Sequence, residues 1–126
     1  DRFEAFARAV GKPDEQVAAE RERAYNGPVL VAWIVRLTDE VAEVPRHEQW
    51  MSAGGALTNF LTALHLQGFG AKTLAGRKCT HPAVRDAFCG EGEQLAAFIC
   101  IGTPTRSPQP RDADDPDAVL SRWEAA

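Results

Sequence analysis

The chain has no pair of cysteines at metal-ligand or redox spacing. Cys79, Cys89 and Cys100 are its three, and none stands in a CxxC or CxxH pair. That spacing argues against zinc. Scattered thiols in odd number fit reduced cysteines of a cytoplasmic protein, and Cys100, inside an apolar run, reads as a small core residue. A Lys/Arg block is also missing, and the net charge is −4, so binding to a nucleic-acid backbone is not expected. The longest apolar stretch, "MSAGGALTNFLTALHLQGFG", is interrupted by Asn59, His65 and Gln67, which excludes it as a membrane span. The charged start (Asp1, Arg2, Glu4) is unlike a signal peptide, and the missing initiator Met suggests a piece of a longer chain. GxSxG, HExxH, P-loop and GxGxxG patterns are all lacking; Gly68, Gly70 and Gly76 follow a helix rather than a strand. His47, His65 and His81 are scattered and read as surface or capping residues, so no catalytic residue is singled out.

What is present is the patterning of one domain, residues 1–126. Phe3, Phe6, Ala7 and Val10 fall on one face of a helix over 1–10. Pro13 opens a second helix over 13–26 with few large apolar residues, expected to lie mostly exposed. "PVLVAWIVRL" (28–37) reads as a strand covered on both faces, and a polar connection follows it. A long helix from about His47 to Gln67 carries apolar residues almost all round, so burial on most sides is expected. "AKTLAG" reads as a short extended piece and "PAVRDAFC" as a helix capped by Thr80 or His81. "EQLAAFICIG" (93–102) is a second buried strand. Residues 107–126 form an extended Pro- and Asp-rich arm whose Val119, Leu120 and Trp123 are expected to dock at its end. The order implies α/β or α+β with a small sheet. With only two good strands, the sheet needs a partner subunit or strands from upstream.

Two features concern ligands or partners. Gly54-Gly55 lies inside the long helix beside Ser52, Ala53 and Ala56. Two interior glycines cost roughly 2 kcal/mol relative to alanine, so a close approach is expected there. Farther on, the helix ends in Gly68-Phe69-Gly70, bare backbone follows, and the last strand ends in Gly102-Thr103-Pro104 with Arg106 beyond. Such a run lets a flat ligand lie against the main chain while a basic residue meets a phosphate. Helix-on-helix packing with ordinary loops is the other reading of the same residues.

"VPRHEQWMSAGGALTNFLTALHLQGFGAKTLAG", then "HPAVRDAF", then "LAAFICIGTP" resembles the FMN-dependent nitroreductase family, in its compact NAD(P)H nitroreductase branch. The likeness covers roughly residues 25 to 106. It implies an α+β sandwich forming an intertwined homodimer around the long helix, with FMN at the subunit interface. NAD(P)H would reduce the FMN, which would pass electrons to nitroaromatic or quinone-like acceptors. Carried over by position, Lys72, Thr73, Leu74, Ala75 and Gly76 would offer backbone amides to the flavin edge, and Arg106 would meet the FMN phosphate. Ala63, Gln67 and Gly68 correspond to a nicotinamide-nucleotide contact.

The chain departs from the family at two points. An Arg-Arg-Ser-like motif and a Gln-Pro-Trp-like segment, which open typical members and grip FMN, have no counterpart, so 1–126 corresponds to the C-terminal two thirds of the family fold. Lys72-Thr73-Leu74 also stands where some relatives have a Trp-Arg-Ser-like run. The resemblance therefore implies weak or absent FMN binding by these residues alone. It leaves two alternatives to the enzyme: a nitroreductase-like dimerisation domain without FMN, and a flavin-storage module without turnover.

Overall fold

Asp1 caps the first helix, its carboxylate accepting from the amides of Phe3 at 2.8 Å and Glu4 at 3.3 Å. In the computed structural model, which describes residues 1–106 and 115–123, this helix α1 spans Arg2–Ala9. Its apolar stripe is buried through Phe3, Phe6 and Ala7. Helix α2, Asp14–Arg23, packs against it and buries Val17 and Glu20. Most of α2 is exposed, as its composition implies, but the buried carboxylate is not legible there. Pro13 sits at the cap rather than in the first turn.

Three antiparallel strands form the sheet, in the order β1 (Val29–Arg36), β3 (Glu93–Gly102), β2 (Gly70–Leu74). The extended piece of the sequence is thus a true third strand. The limits of β3 match the sequence expectation, and it is the central, buried strand. At Trp33/Ile34 the register shifts and leaves Ala96 as an extra residue on β3. Expected burial of β1 on both faces is corrected: Val29 and Ile34 are exposed, and among the described residues β1 has β3 as its one strand neighbour.

Successive side chains of a strand point to opposite faces. Phe98 and Cys100 join Phe3, Phe6, Leu74, Cys79, Val84 and Leu95 in a core on one face. Phe98 is 1% exposed, with the Phe3 and Phe88 rings edge-on at 4.9 Å and 5.1 Å. Burial of such a side chain contributes about 1.5–3 kcal/mol. Cys100 is buried as expected. Two one-turn helices, α4 (Arg77–Thr80) and α5 (Pro82–Arg85), lie against this core. The single helix expected over 82–89 is therefore shorter, and α4 was not foreseen. His81 caps α5 through Nδ1, which accepts from the Ala83 amide.

Helix α3, Arg46–Leu66, meets the sheet through β2 and through Trp33 and Phe60, whose rings lie 5.6 Å apart. Gln49 fixes its start: the amide pairs with both backbone groups of Thr38, at 2.9 Å and 2.7 Å, and donates to the Val44 carbonyl. Among the described residues none of α3 is buried, contrary to the expected burial on most sides. Among the described residues nothing lies within 4 Å of a Cβ placed on Gly54 or Gly55, so the expected close approach is not made by them.

The docking expected of Val119, Leu120 and Trp123 is also corrected. These residues follow a 3-10 turn at Pro116–Ala118 and are 80%, 71% and 89% exposed. The remainder of the expected arm, 107–114 and 124–126, lies outside the described residues. Among the described residues no helix is long and apolar enough to cross a membrane.

Candidate functional site

The α3 terminus sets one end of the site. The Gly68 amide donates to His65 O at 2.9 Å and the Phe69 amide to Leu64 O at 3.0 Å, the paired bonds of a Schellman cap. Gly68 takes φ +83°, a conformation that favours glycine. The chain then enters β2 opposite the end of β3, with Gly70 paired to Gly102. A Cβ on Gly70 would lie 3.1 Å from Pro104 Cγ, and one on Gly102 only 2.8 Å from Pro28 Cδ. Close packing therefore requires glycine at 102 and leaves little room at 70, and it seats Gly102-Thr103-Pro104 on the start of β2. Arg106 follows two residues later and is exposed.

Gln67 turns back on its own helix, its Nε2 donating to Ala63 O at 3.1 Å. Ala63, Gln67 and Gly68 are exposed and stand at the Gly70 end of β2, the end from which Arg106 also emerges. At the other end of β2, Leu74 pairs with Phe98 and the chain turns through Ala75 to Gly76. Four residues of strand separate the two ends by roughly 13 Å. The sequence-predicted residues thus form two groups.

Alternation along β2 divides them again. Lys72 and Leu74 lie opposite Cys100 and Phe98 on the α1/α2 face, whereas Thr73 lies opposite Ile99 on the α3 face. The Leu74 side chain belongs to the core. Side chains of 72–74 therefore cannot converge on one ligand; shared contacts from this stretch would come from its backbone. β2 pairs with β3 alone, so its other backbone edge carries no strand partner among the described residues. Gly76 has φ +101° with nothing within 4 Å of a Cβ, so bare backbone there faces open space.

A second cluster escaped the sequence reading. Glu20, 4% exposed, accepts from Lys12 at 2.9 Å and Arg23 at 2.6 Å on Oε1, and from Lys78 at 3.0 Å on Oε2. Lys78 is itself buried, with its ammonium 4.3 Å from the Phe3 ring centroid. Burial works to raise the Glu20 pKa. Hydrogen bonds from Lys12 and Lys78, and the charges of Lys78 and Arg23, outweigh it and hold the carboxyl below the ordinary glutamate value. These cations border a cleft of about 490 Å³ that also includes Lys72–Ala75 and Arg77. The available signal was the spacing of Val17, Glu20 and Arg23, which places the acid on the buried stripe of α2.

Across Gly76 and Arg77 lies a larger cleft of about 860 Å³, lined by Trp50, Cys79, Cys89 and Leu95 among others. Burial pushes the Cys79 thiol up against the opposing pull of Lys78, with Cys89 adding to the rise. Burial likewise raises Cys89, assisted by Glu93 and Asp86 and opposed by Arg85. Both thiols stay protonated near neutrality and are poor nucleophiles. Among the described residues, no group of acids, histidines and cysteines could hold a metal ion.

Comparison with known proteins agrees with this architecture. The family described as "Nitroreductase family" matches residues 3–103. "Putative NAD(P)H nitroreductase YdjA" of Escherichia coli K12 is 35% identical over 103 residues, covering 81% of this chain and 56% of its own. "Putative NAD(P)H nitroreductase" of Haemophilus influenzae is 30% identical over 91 residues, 71% of this chain and 50% of its own. The chain thus spans about half the length of the curated relatives it matches. The crystal structure of a nitroreductase-like family protein from Bacillus cereus superimposes with a TM-score of 0.75 at 13% identity, over 89% of this chain and 59% of that one. This last likeness concerns the α+β fold.

Proposed function

The chain belongs to the nitroreductase family, and on that premise we propose that it is an FMN-dependent NAD(P)H oxidoreductase. It would act as a homodimer and deliver electrons to nitroaromatic or quinone-like acceptors. One observation carries the reading: the open backbone edge of β2 runs into a glycine turn with free space beside it at Gly76. These residues fit the rim of a flat ring, which needs amide donors and close approach of the main chain.

Bound FMN would supply the two-electron chemistry between nicotinamide and acceptor. The chain's part is placement. The amides of Lys72–Gly76 that point away from β3 would donate to the ring edge, where negative charge develops on reduction. Arg106, exposed beyond Pro104, would set its guanidinium on the phosphate. Ala63, Gln67 and Gly68 would border the nicotinamide nucleotide. Helix α3, with Met51 72% and Leu66 80% exposed, offers the second copy an apolar face whose burial would exclude water.

The exposure of α3 equally suits a dimerisation domain without flavin. Anaerobic mixing of the purified chain with excess FMN and NADH or NADPH separates the two. The enzyme reading expects the chain to accelerate loss of flavin absorbance, at FMN concentrations high enough to offset the missing Arg-Arg-Ser grip. A dimer by light scattering that leaves the bleaching rate at the protein-free value would establish the non-catalytic reading instead.

A further inference from the structure

The cleft between α1, α2 and β2 holds five cationic side chains, Lys12, Arg23, Lys72, Arg77 and Lys78, and one carboxylate, Glu20. Five positive charges less one negative leave an excess of four, in a chain whose net charge is −4. The excess is local. The neighbouring cleft on the same two helices sets Glu4, Asp14 and Glu22 against Arg8 and Arg21.

Neutralising Glu20 does not account for it. Lys12, Arg23 and Lys78 already crowd three cations onto one carboxylate. Lys72 and Arg77 line the same space and pair with no acid among the described residues. Like charges gathered at one cleft repel, and an anion seated among them relieves that repulsion. The seat is partly rigid: Glu20 fixes Lys12 and Arg23 from below, and Arg23 keeps donors beyond the single one it uses.

We propose that this cleft binds a multiply charged phosphate anion of the pyrophosphate type, through Arg23, Lys12, Lys72 and Arg77. The strand register places it on the face of the sheet opposite α3, because Lys72 lies over Cys100 and α2 while Thr73 lies over Ile99. The cleft shares Lys72–Ala75 with the proposed flavin edge, but it uses the Lys72 side chain where the flavin would use backbone, so binding here does not depend on the oxidoreductase reading. At about 490 Å³ the cleft is large enough for a small phosphorylated molecule.

Isothermal titration of the flavin-free chain with inorganic pyrophosphate tests the assignment, with orthophosphate and sulfate as comparisons. Saturable binding at one site is expected, stronger for pyrophosphate and weakened by added salt. Arg77→Gln and Lys72→Gln should each lower affinity about tenfold, and Arg77→Lys should restore part of the loss. Both residues are exposed, and circular dichroism of each variant checks that the fold is kept. No saturable binding to the folded chain would overturn the assignment. So would wild-type affinity in both Gln variants, or binding to sulfate as tight as to pyrophosphate. Flavin bleaching is a separate readout, so either proposal can fail alone.

Discussion

The Lys78 ammonium lies 3.0 Å from the Glu20 carboxylate across 58 residues of sequence, and 4.3 Å from the centre of the Phe3 ring. One buried cation thereby links α4 to both amino-terminal helices. Glu20→Gln leaves the buried Lys78 ammonium without its carboxylate and should destabilise the chain by about 3–5 kcal/mol. Lys78→Met leaves Glu20 still paired with Lys12 and Arg23 and should cost less. The double variant should cost less than the sum of the two. Urea denaturation of the three variants measures this, and strict additivity would show that the two residues act independently.

The same carboxylate makes stability depend on pH. Its folded pKa lies below the unfolded value near 4.5. The stabilisation is therefore complete above that value and is lost as the pH falls through the folded pKa. Melting temperature should drop on acidification below about 4.5, and more shallowly in Glu20→Gln. Parallel acid profiles for the two proteins would contradict the link.

Glycines in this chain differ in what surrounds them, and substitution should separate them. A Cβ on Gly27 would meet the Ile101 carbonyl oxygen at 2.7 Å, a backbone atom that cannot step aside. Gly27→Ala should cost about 1–3 kcal/mol. Gly55 meets nothing within 4 Å. Gly55→Leu should leave the circular dichroism of the chain intact while converting the proposed dimer to monomer by light scattering. An undisturbed dimer would remove Gly54-Gly55 from the subunit contact.

Raised thiol pKa values predict sluggish chemistry at Cys79 and Cys89. Their alkylation by iodoacetamide should be slow at neutral pH. It should still be accelerating at the pH where a free thiol has levelled off. Lys78→Met removes the charge that opposes the rise at Cys79 and should slow that residue further, wherever the variant remains folded. Rapid modification at pH 7 would show that burial does not control these groups.

The sequence reads most clearly where one local rule decides the outcome. Residues 95–101 are continuously apolar, and the strand built on them is central, with β1 along its length and β2 beside residues 98–102. Glycine turns after α3 are equally legible, since a positive φ needs a residue type that can be seen. Burial is less legible, because it depends on what lies opposite. The apolar circumference of α3 implies burial, yet its aromatic contact among the described residues is Trp33 on Phe60, and its packing on the sheet is with β2. Glu20 hides for the opposite reason. Acids usually mark exposure, and its three cationic partners come from different segments of the chain. Along the stretch expected at the flavin, pleat alternation turns Lys72 and Thr73 to opposite faces, which the local sequence does not reveal.

The sheet order β1-β3-β2 also governs when the molecule can form. The strand that joins the other two is the last of the three in the chain, so β1 and β2 have no mutual pairing to hold them before Glu93–Gly102 is made. On the ribosome, the apolar β1 and the exposed flank of α3 must wait through that interval without their sheet. This is the stage at which unpaired strands meet neighbouring chains. A slow passage through residues 70–92 would therefore prolong exposure to aggregation, and the synthesis of β3 would end it.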